Sequence, residues 1–135
     1  MNIGSFTRLV VTLLFLFLTA AASGAEPSDN ITLVDSEQIA AAQRIDDALN
    51  GVSAHVMACV ERQQGETAGC TCESREVCPF KPAFDAFIAA FCEAADRYPA
   101  WKSQNVFYQS GDTGVGHTLG TRAMQLHYGA ACDSR

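Results

Sequence analysis

Three of the six cysteines of this 135-residue chain lie close together in the stretch CTCESREVC at residues 70–78. Clustered thiolates can bind a metal ion, exchange electrons or form disulfides. With Cys59 or His55 as a fourth ligand, the cluster would offer zinc or copper a tetrahedral site of sulfur, or of sulfur and nitrogen. Structural zinc sites usually pair cysteines with two to four intervening residues, and C-x-C is tighter than that. Metal binding is therefore an alternative and not the first expectation, and no cofactor is predicted.

Thiol chemistry is the second reading of the same cluster. Thiol oxidoreductases usually carry C-x-x-C at the start of a helix, where the helix dipole lowers the pKa of the thiol. Cys78 immediately precedes Pro79, which suits a helix start, but it has no cysteine two residues further on. The chain also lacks the CxxCH motif of covalently attached haem. A thiol-active protein using the segment from Cys59 to Cys78 therefore stays an alternative.

Hydrolysis has weaker support. Ser110, Asp112 and His117 could form a Ser/His/Asp set, but they lie within one short stretch and no G-x-S-x-G elbow is present. The surrounding GDTGVGHTLG also lacks the lysine of a phosphate-binding loop. These glycines are typical of a tight turn. With no recognisable catalytic constellation, the sequence predicts a protein that is not an enzyme.

The first 25 residues decide the expected compartment. Arg8 is followed by the apolar run 9–22, and small residues lead up to Ala25. This layout predicts a signal peptide at residues 1–25, since a membrane span needs roughly 20 apolar residues. We expect a periplasmic or secreted protein with no stable membrane insertion after cleavage.

The cysteine count and the net charge indicate how the protein is stabilised and which partners it excludes. An even number of cysteines in an exported chain predicts a disulfide framework. The chain has 15 acidic and 9 basic residues and a formal net charge of −6. Because such a surface repels phosphate backbones, nucleic acid is not expected as a partner. A protein partner stays open, and its identity is unknown.

The elements that position these residues begin with a flexible lead-in at 26–35, followed by a single globular domain at 36–135. Asp35 is a candidate N-cap for a first helix, and Gly51 could bend or break that helix. Apolar residues recur along it at steps of three and four, which predicts one buried face. They are Ile39, Ala42, Ile45, Leu49, Val52, Val56 and Val60.

A second helix should open near Pro79 or Pro82 and carry an apolar stripe. The stripe consists of Phe80, Phe84, Phe87, Ile88, Phe91 and Ala95. It predicts core, and the alternative is a pocket that carries an apolar small molecule.

The last third of the chain predicts a hairpin and a short helix. Segments 105–109 and 115–119 flank a turn, and Thr121 could cap a helix over 122–128 that stops at Gly129. The predicted fold is α-rich α+β, a small disulfide-stabilised domain with an antiparallel helical hairpin, a short β-hairpin and a short C-terminal helix.

Helix geometry ranks the cysteine pairs. Cys92 lies about 20 Å from the start of the second helix, whereas bonded cysteines need Cα atoms within about 7 Å. We therefore expect Cys92 to bond to Cys132. The favoured pairing of the other four is Cys59–Cys72 with Cys70–Cys78, and the alternative is Cys59–Cys70 with Cys72–Cys78.

Trp101, the single tryptophan, is expected to cover the core where the second helix turns into the hairpin. If it is exposed, Trp101 and Tyr108 are the first candidates for a partner-binding patch. The leading hypothesis is an exported, non-enzymatic protein that acts through its surface as a binding, inhibitory or envelope accessory module.

Overall fold

The computed structural model describes residues 30–134 of the chain. This part contains three α-helices, a short 3-10 helix and a small three-stranded sheet. The elements are β1 (Asn30–Thr32), α1 (Ser36–Arg62), α2 (Lys81–Arg97), a 3-10 helix (Pro99–Lys102), β2 (Asn105–Gln109), β3 (Gly116–Leu119) and α3 (Thr121–Asp133). The predicted class, a small disulfide-stabilised α+β domain rich in helix, is confirmed. The proposed signal peptide at 1–25 lies outside the described residues.

Helix α1 begins where the sequence predicts. The Asp35 carboxylate accepts hydrogen bonds from the backbone N–H groups of Glu37 and Gln38, both at 3.0 Å, which satisfies donors that a helix start leaves unpaired. The exposed Gly51 does not interrupt the helix, which continues to Arg62. No helix within residues 30–134 has the length and apolar character needed to cross a membrane.

Helices α1 and α2 run antiparallel. Arg97 at the end of α2 forms an ion pair of 2.7 Å with Glu37 at the start of α1, and the rings of His55 and Phe80 stack near the opposite ends. The phenylalanine stripe of α2 faces inward, with Phe84, Phe87 and Phe91 at most 2% exposed. From Phe84 to Ala95 the stripe is therefore core, as predicted, while Phe80 at its start is only partly buried.

The sheet covers one side of the helices in the order β1-β2-β3. Strand β2 pairs in parallel with β1 and antiparallel with β3, so that Tyr108 lies opposite His117. Val106 and Tyr108 on β2 are buried, while Phe107 between them is only partly buried. This alternation is that of a sheet with one face on the core, and the predicted β-hairpin is confirmed.

The prediction of a flexible lead-in over 26–35 is wrong for its described part. Asn30–Thr32 forms β1, and the Leu33 backbone N–H continues the pairing by donating to the Phe107 carbonyl at 2.8 Å. Leu33 is 4% exposed within the core. The polar residues before position 31 suggested a loop, but the sequence Ile-Thr-Leu that follows suits a strand.

Helix α3 is longer than predicted. Thr121 is its first residue and does not cap it, because the Thr121 hydroxyl donates to the Gln104 carbonyl at 2.6 Å. The helix passes through Gly129, the predicted stop, and ends at Asp133. A glycine inside a helix costs only about 1 kcal/mol. The packing of Tyr128 on α2 and the disulfide at Cys132 offset this cost.

Candidate functional site

Residues 63–80, here called the elbow, connect α1 to α2 and are crosslinked by two disulfides. Cys59 bonds to Cys70 with Cα atoms 5.6 Å apart, and Cys72 bonds to Cys78 with Cα atoms 4.2 Å apart. The favoured prediction, Cys59–Cys72 with Cys70–Cys78, is therefore wrong. The alternative pairing of the same four residues is the one that forms.

The course of the elbow explains this pairing. After α1 the chain turns through Gly65, which has a positive φ of 98°, and the elbow then brings the fully buried Cys70 against the helix. Further along, the Glu73 N–H donates to the Val77 carbonyl at 3.1 Å. That hydrogen bond closes a local turn and places Cys72 and Cys78, which flank it, side by side.

The third disulfide fixes α3 to α2. Cys92 bonds to Cys132 with Cα atoms 5.3 Å apart, as predicted from helix geometry. Cys92 is completely buried, and Cys132 lies in the last turn of α3. The C-terminal end of α3 is thus joined covalently to the centre of the fold.

A surface pocket of about 280 Å³, here called the elbow pocket, lies between the elbow and α3. One wall consists of residues 73–76, all within the ring closed by the Cys72–Cys78 disulfide. The opposite wall belongs to α3, where Cys132 does not line the pocket but directly follows the lining residue Ala131. Phe84 contributes from α2. The lining of the α3 wall consists of His127, Tyr128, Ala130 and Ala131, together with Ser134 directly after the helix.

The basic groups beside the elbow wall are already engaged. Arg75 Nε lies 2.9 Å from an Asp85 carboxylate oxygen, and Lys81 Nζ lies 3.8 Å from the other. Lys81 also donates to the Arg75 carbonyl at 3.3 Å. Hydrogen bonds from the Glu76 backbone N–H and the Ser74 hydroxyl hold the pKa of the Glu76 carboxyl below its ordinary value. This exposed glutamate is ionised at neutral pH.

A second polar cluster joins the hairpin to α1. The Tyr108 hydroxyl donates to Asp46 Oδ2 at 2.7 Å, and His117 Nδ1 lies 3.3 Å from the same oxygen. The rings of Tyr108 and His117 stack with centroids 5.1 Å apart. Sequence reasoning missed Asp46, which looked like one more polar residue of an amphipathic helix. Its role depends on the hairpin folding over α1.

The Ser/His/Asp set suggested by the sequence does not assemble. His117 is paired with Asp46 and not with Asp112, and the Ser110 hydroxyl is hydrogen-bonded to the Thr113 hydroxyl. Asp112, Ser110 and His117 do line a common cleft of about 330 Å³ beside α1. Their hydrogen bonds are those of a turn and of a contact between hairpin and helix.

Trp101 and Tyr108 do not form an exposed binding patch. Both side chains are 2% exposed and belong to the core. The 3-10 helix turns Trp101 inward, where its ring lies 4.9 Å from that of Tyr98, and β2 turns Tyr108 toward α1. The patch hypothesis is wrong, and the expectation that Trp101 covers the core is confirmed.

The Tyr108 hydroxyl gives the fold a dependence on alkaline pH. Burial, and secondly the hydrogen bond to Asp46, raise the pKa of Tyr108 above its ordinary value. The unfolded chain therefore loses this proton at a lower pH than the folded protein. The contribution of Tyr108 is fully present below pH about 10 and is lost as pH rises further.

We expect Tyr108→Phe to lower the free energy of unfolding by about 1–2 kcal/mol at pH 7, because a hydrogen bond to a carboxylate is lost. Above pH about 10, the stability of the variant should fall less steeply than that of the wild type, because only the wild type loses the Tyr108 contribution there. Urea unfolding followed by circular dichroism measures both. Tyr128→Phe, which removes a hydroxyl outside this cluster, is the matched control, and equal slopes for all three proteins would contradict the assignment.

The metal and thiol alternatives lose their ligands in this structure. All six cysteines are in disulfides, so none offers a thiolate. The ring of His55 stacks on that of Phe80, with the two ring centroids 5.4 Å apart. Among residues 30–134 no group of three or more histidine, cysteine, aspartate or glutamate side chains has an arrangement that could bind a metal ion.

The fold and crosslinks define the class of the protein, a small disulfide-rich α+β domain. Its three disulfides indicate an oxidising compartment. No protein family model, curated protein or solved structure matches this chain.

Proposed function

We propose that this protein is an exported, non-enzymatic binding module that acts through its surface and contacts its partner at the elbow pocket. One observation carries the proposal: two of the three disulfides fix the two facing walls of the same pocket. The Cys72–Cys78 ring contains the whole elbow wall. Cys132 attaches the α3 wall to the core through Cys92.

Such crosslinking favours binding because it reduces the conformational entropy that binding must remove. Ordering a flexible side chain at an interface costs about 0.5–1.5 kcal/mol, and ordering a loop costs more. In this pocket the backbone of both walls is constrained when the disulfides form. A partner therefore meets a surface that folding has already ordered, and more of the contact free energy appears as affinity.

Export is supported by the same bonds. Three disulfides in a small domain are typical of periplasmic and secreted proteins. The segment 1–25 has the layout of a signal peptide. Together they favour a protein that meets its partner outside the cytoplasm.

The proposal predicts that the elbow pocket binds an apolar side-chain analogue. We expect indole, added to the oxidised protein, to shift the backbone amide NMR signals of residues 73–76 and 127–134 in a saturable way. The dissociation constant should be on the order of millimolar, as for other very small ligands. Ala130→Trp, which fills the pocket from its exposed helix wall, should abolish these shifts.

Ala123→Trp is the matched control, because Ala123 is exposed on the same helix and does not line the pocket. It should leave indole binding unchanged. Intact mass of the protein as purified, without added oxidant, should be lower than that of the reduced chain by two hydrogens for each of the three disulfides. Free thiols in that sample would favour the thiol-active alternative. Shifts confined to other surfaces, or absent at saturating indole, would refute the elbow pocket as the binding site.

A further inference from the structure

The elbow pocket combines an apolar interior with an acidic rim. We propose that its ligand is a segment of a partner protein in which one apolar side chain is flanked by lysine or arginine. This inference rests on the proposed function, since it specifies the partner of the same pocket. It follows from the pocket volume, the exposed apolar residues beside it, and the charges on its elbow wall.

The volume favours a single side chain. Pockets for drug-sized ligands usually occupy about 300–1,000 Å³, and this one measures about 280 Å³. Its apolar surface comes from Phe84, Tyr128, Ala130 and Ala131. The Phe84 and Tyr128 rings pack edge to face with their centroids 5.6 Å apart. They form a rigid aromatic surface for an aliphatic or aromatic group.

Two exposed apolar residues lie next in sequence to residues that line the pocket. Val77 is 58% exposed and follows Glu76 of the elbow wall, and Leu126 is 80% exposed and precedes His127 of the α3 wall. A partner that inserts one apolar side chain would bring its neighbouring residues toward these two positions. Their burial would add apolar area at the edge of the contact.

The charges on the elbow wall favour a ligand with basic residues beside its apolar side chain. Arg75 and Lys81 both contact the Asp85 carboxylate, and their charges also help to lower the pKa of the Glu76 carboxyl. Glu73 and Glu76 are exposed on the elbow wall, and within residues 30–134 neither forms an ion pair. The whole chain carries a formal charge of −6. Three carboxylates, those of Glu73, Glu76 and Asp85, therefore face two cations, Arg75 and Lys81, which leaves this side of the pocket with a net negative charge. That charge favours lysine or arginine in the ligand over an acidic or phosphorylated group.

Three capped pentapeptides test the inference at low salt, each followed by the NMR signals of residues 73–77 and 126–134. Their sequences are Gly-Lys-Leu-Lys-Gly, Gly-Glu-Leu-Glu-Gly and Gly-Lys-Ser-Lys-Gly. We expect the first to bind about tenfold more tightly than either of the others, because each loses one of the two recognised features. Its advantage over the acidic peptide should shrink as salt screens the exposed charges.

A pair of variants assigns the charge preference to the elbow wall. Glu73→Gln with Glu76→Gln should remove the advantage of the lysine peptide over its acidic analogue. Glu66→Gln with Glu93→Gln makes the same change in net charge at exposed positions that do not line the pocket, and should preserve it.

The outcomes separate this inference from the proposed function. If all three peptides shift the pocket signals with equal affinity, or if the acidic peptide binds best, the basic partner is refuted while the pocket still stands as a binding site. If no peptide shifts the pocket signals although indole does, the peptide partner is refuted. If neither peptides nor indole shift them, both proposals fail.

Discussion

Replacing Cys92 and Cys132 together with alanine should lower the free energy of unfolding by about 4 kcal/mol, one of the two largest effects that we expect from any change in this domain. These cysteines are 40 positions apart, so their bond restricts a long section of the unfolded chain. It also joins α3 to the helical hairpin, and without it a glycine-containing helix must rely on packing alone. Alanine leaves no polar group in the buried site of Cys92.

The matched control is the double variant Cys72→Ala with Cys78→Ala, whose bond spans only 6 positions. The same chain-entropy argument gives a loss of about 2 kcal/mol. Urea unfolding of both variants and the wild type under non-reducing conditions gives the comparison. A loss for the Cys92 and Cys132 pair no larger than that of the control would show that α3 is stable without its crosslink.

The short disulfide should matter more for local order than for global stability. Its removal frees the elbow wall of the pocket, so the amides of residues 73–76 should exchange with solvent faster while those of α2 change little. This contrast follows from the positions of the two bonds. One joins elements that are distant in sequence, and the other closes a ring within one turn.

The elements that could be predicted from the sequence are those with local causes. Asp35 caps α1, Pro82 lies in the first turn of α2, and the turn chemistry between 109 and 116 connects β2 to β3. Each signal acts within a few residues, so neighbouring side chains suffice to predict it. The same holds for the apolar stripes of both long helices, whose spacing already defines the buried faces.

The elements that could not be predicted depend on distant partners. Strand β1 exists because Ile31 lies beside Val106 of β2, and no residue near Ile31 signals that pairing. Helix α3 passes Gly129, where the packing of Tyr128 on α2 and the bond from Cys132 to Cys92 stabilise its last turns. The elbow disulfides depend on the course of an irregular loop, which sequence spacing alone left open between two pairings.

The candidate sites show the same division. The segment 70–78 attracted attention as a cysteine cluster, but its function as a pocket wall requires α3 on the other side. Asp46 became significant only through His117 and Tyr108, which the hairpin brings to it from far along the chain. Residue types indicated where polar chemistry could lie, and tertiary packing decided which side chains share it.

Trp101→Ala should lower the free energy of unfolding by about 3–5 kcal/mol, because it removes the largest fully buried side chain of the core. The ring is 2% exposed, packs on Tyr98 at 4.9 Å, and lies in the 3-10 helix between α2 and β2. An exposed tryptophan in a binding patch would behave differently, since its removal would change stability by less than about 0.5 kcal/mol. Urea unfolding followed by circular dichroism distinguishes the two.

Two further measurements keep this prediction testable if the alanine variant does not fold. Trp101→Phe retains an aromatic ring and should cost clearly less than Trp101→Ala, because it leaves a smaller cavity. In the wild type, Trp101 is the single tryptophan, so its fluorescence reports one site. Burial predicts blue-shifted emission that iodide hardly quenches until the protein unfolds. Emission that iodide quenches readily in the folded protein would place Trp101 at the surface. It would then support the hypothesis that Trp101 and Tyr108 form a partner-binding patch.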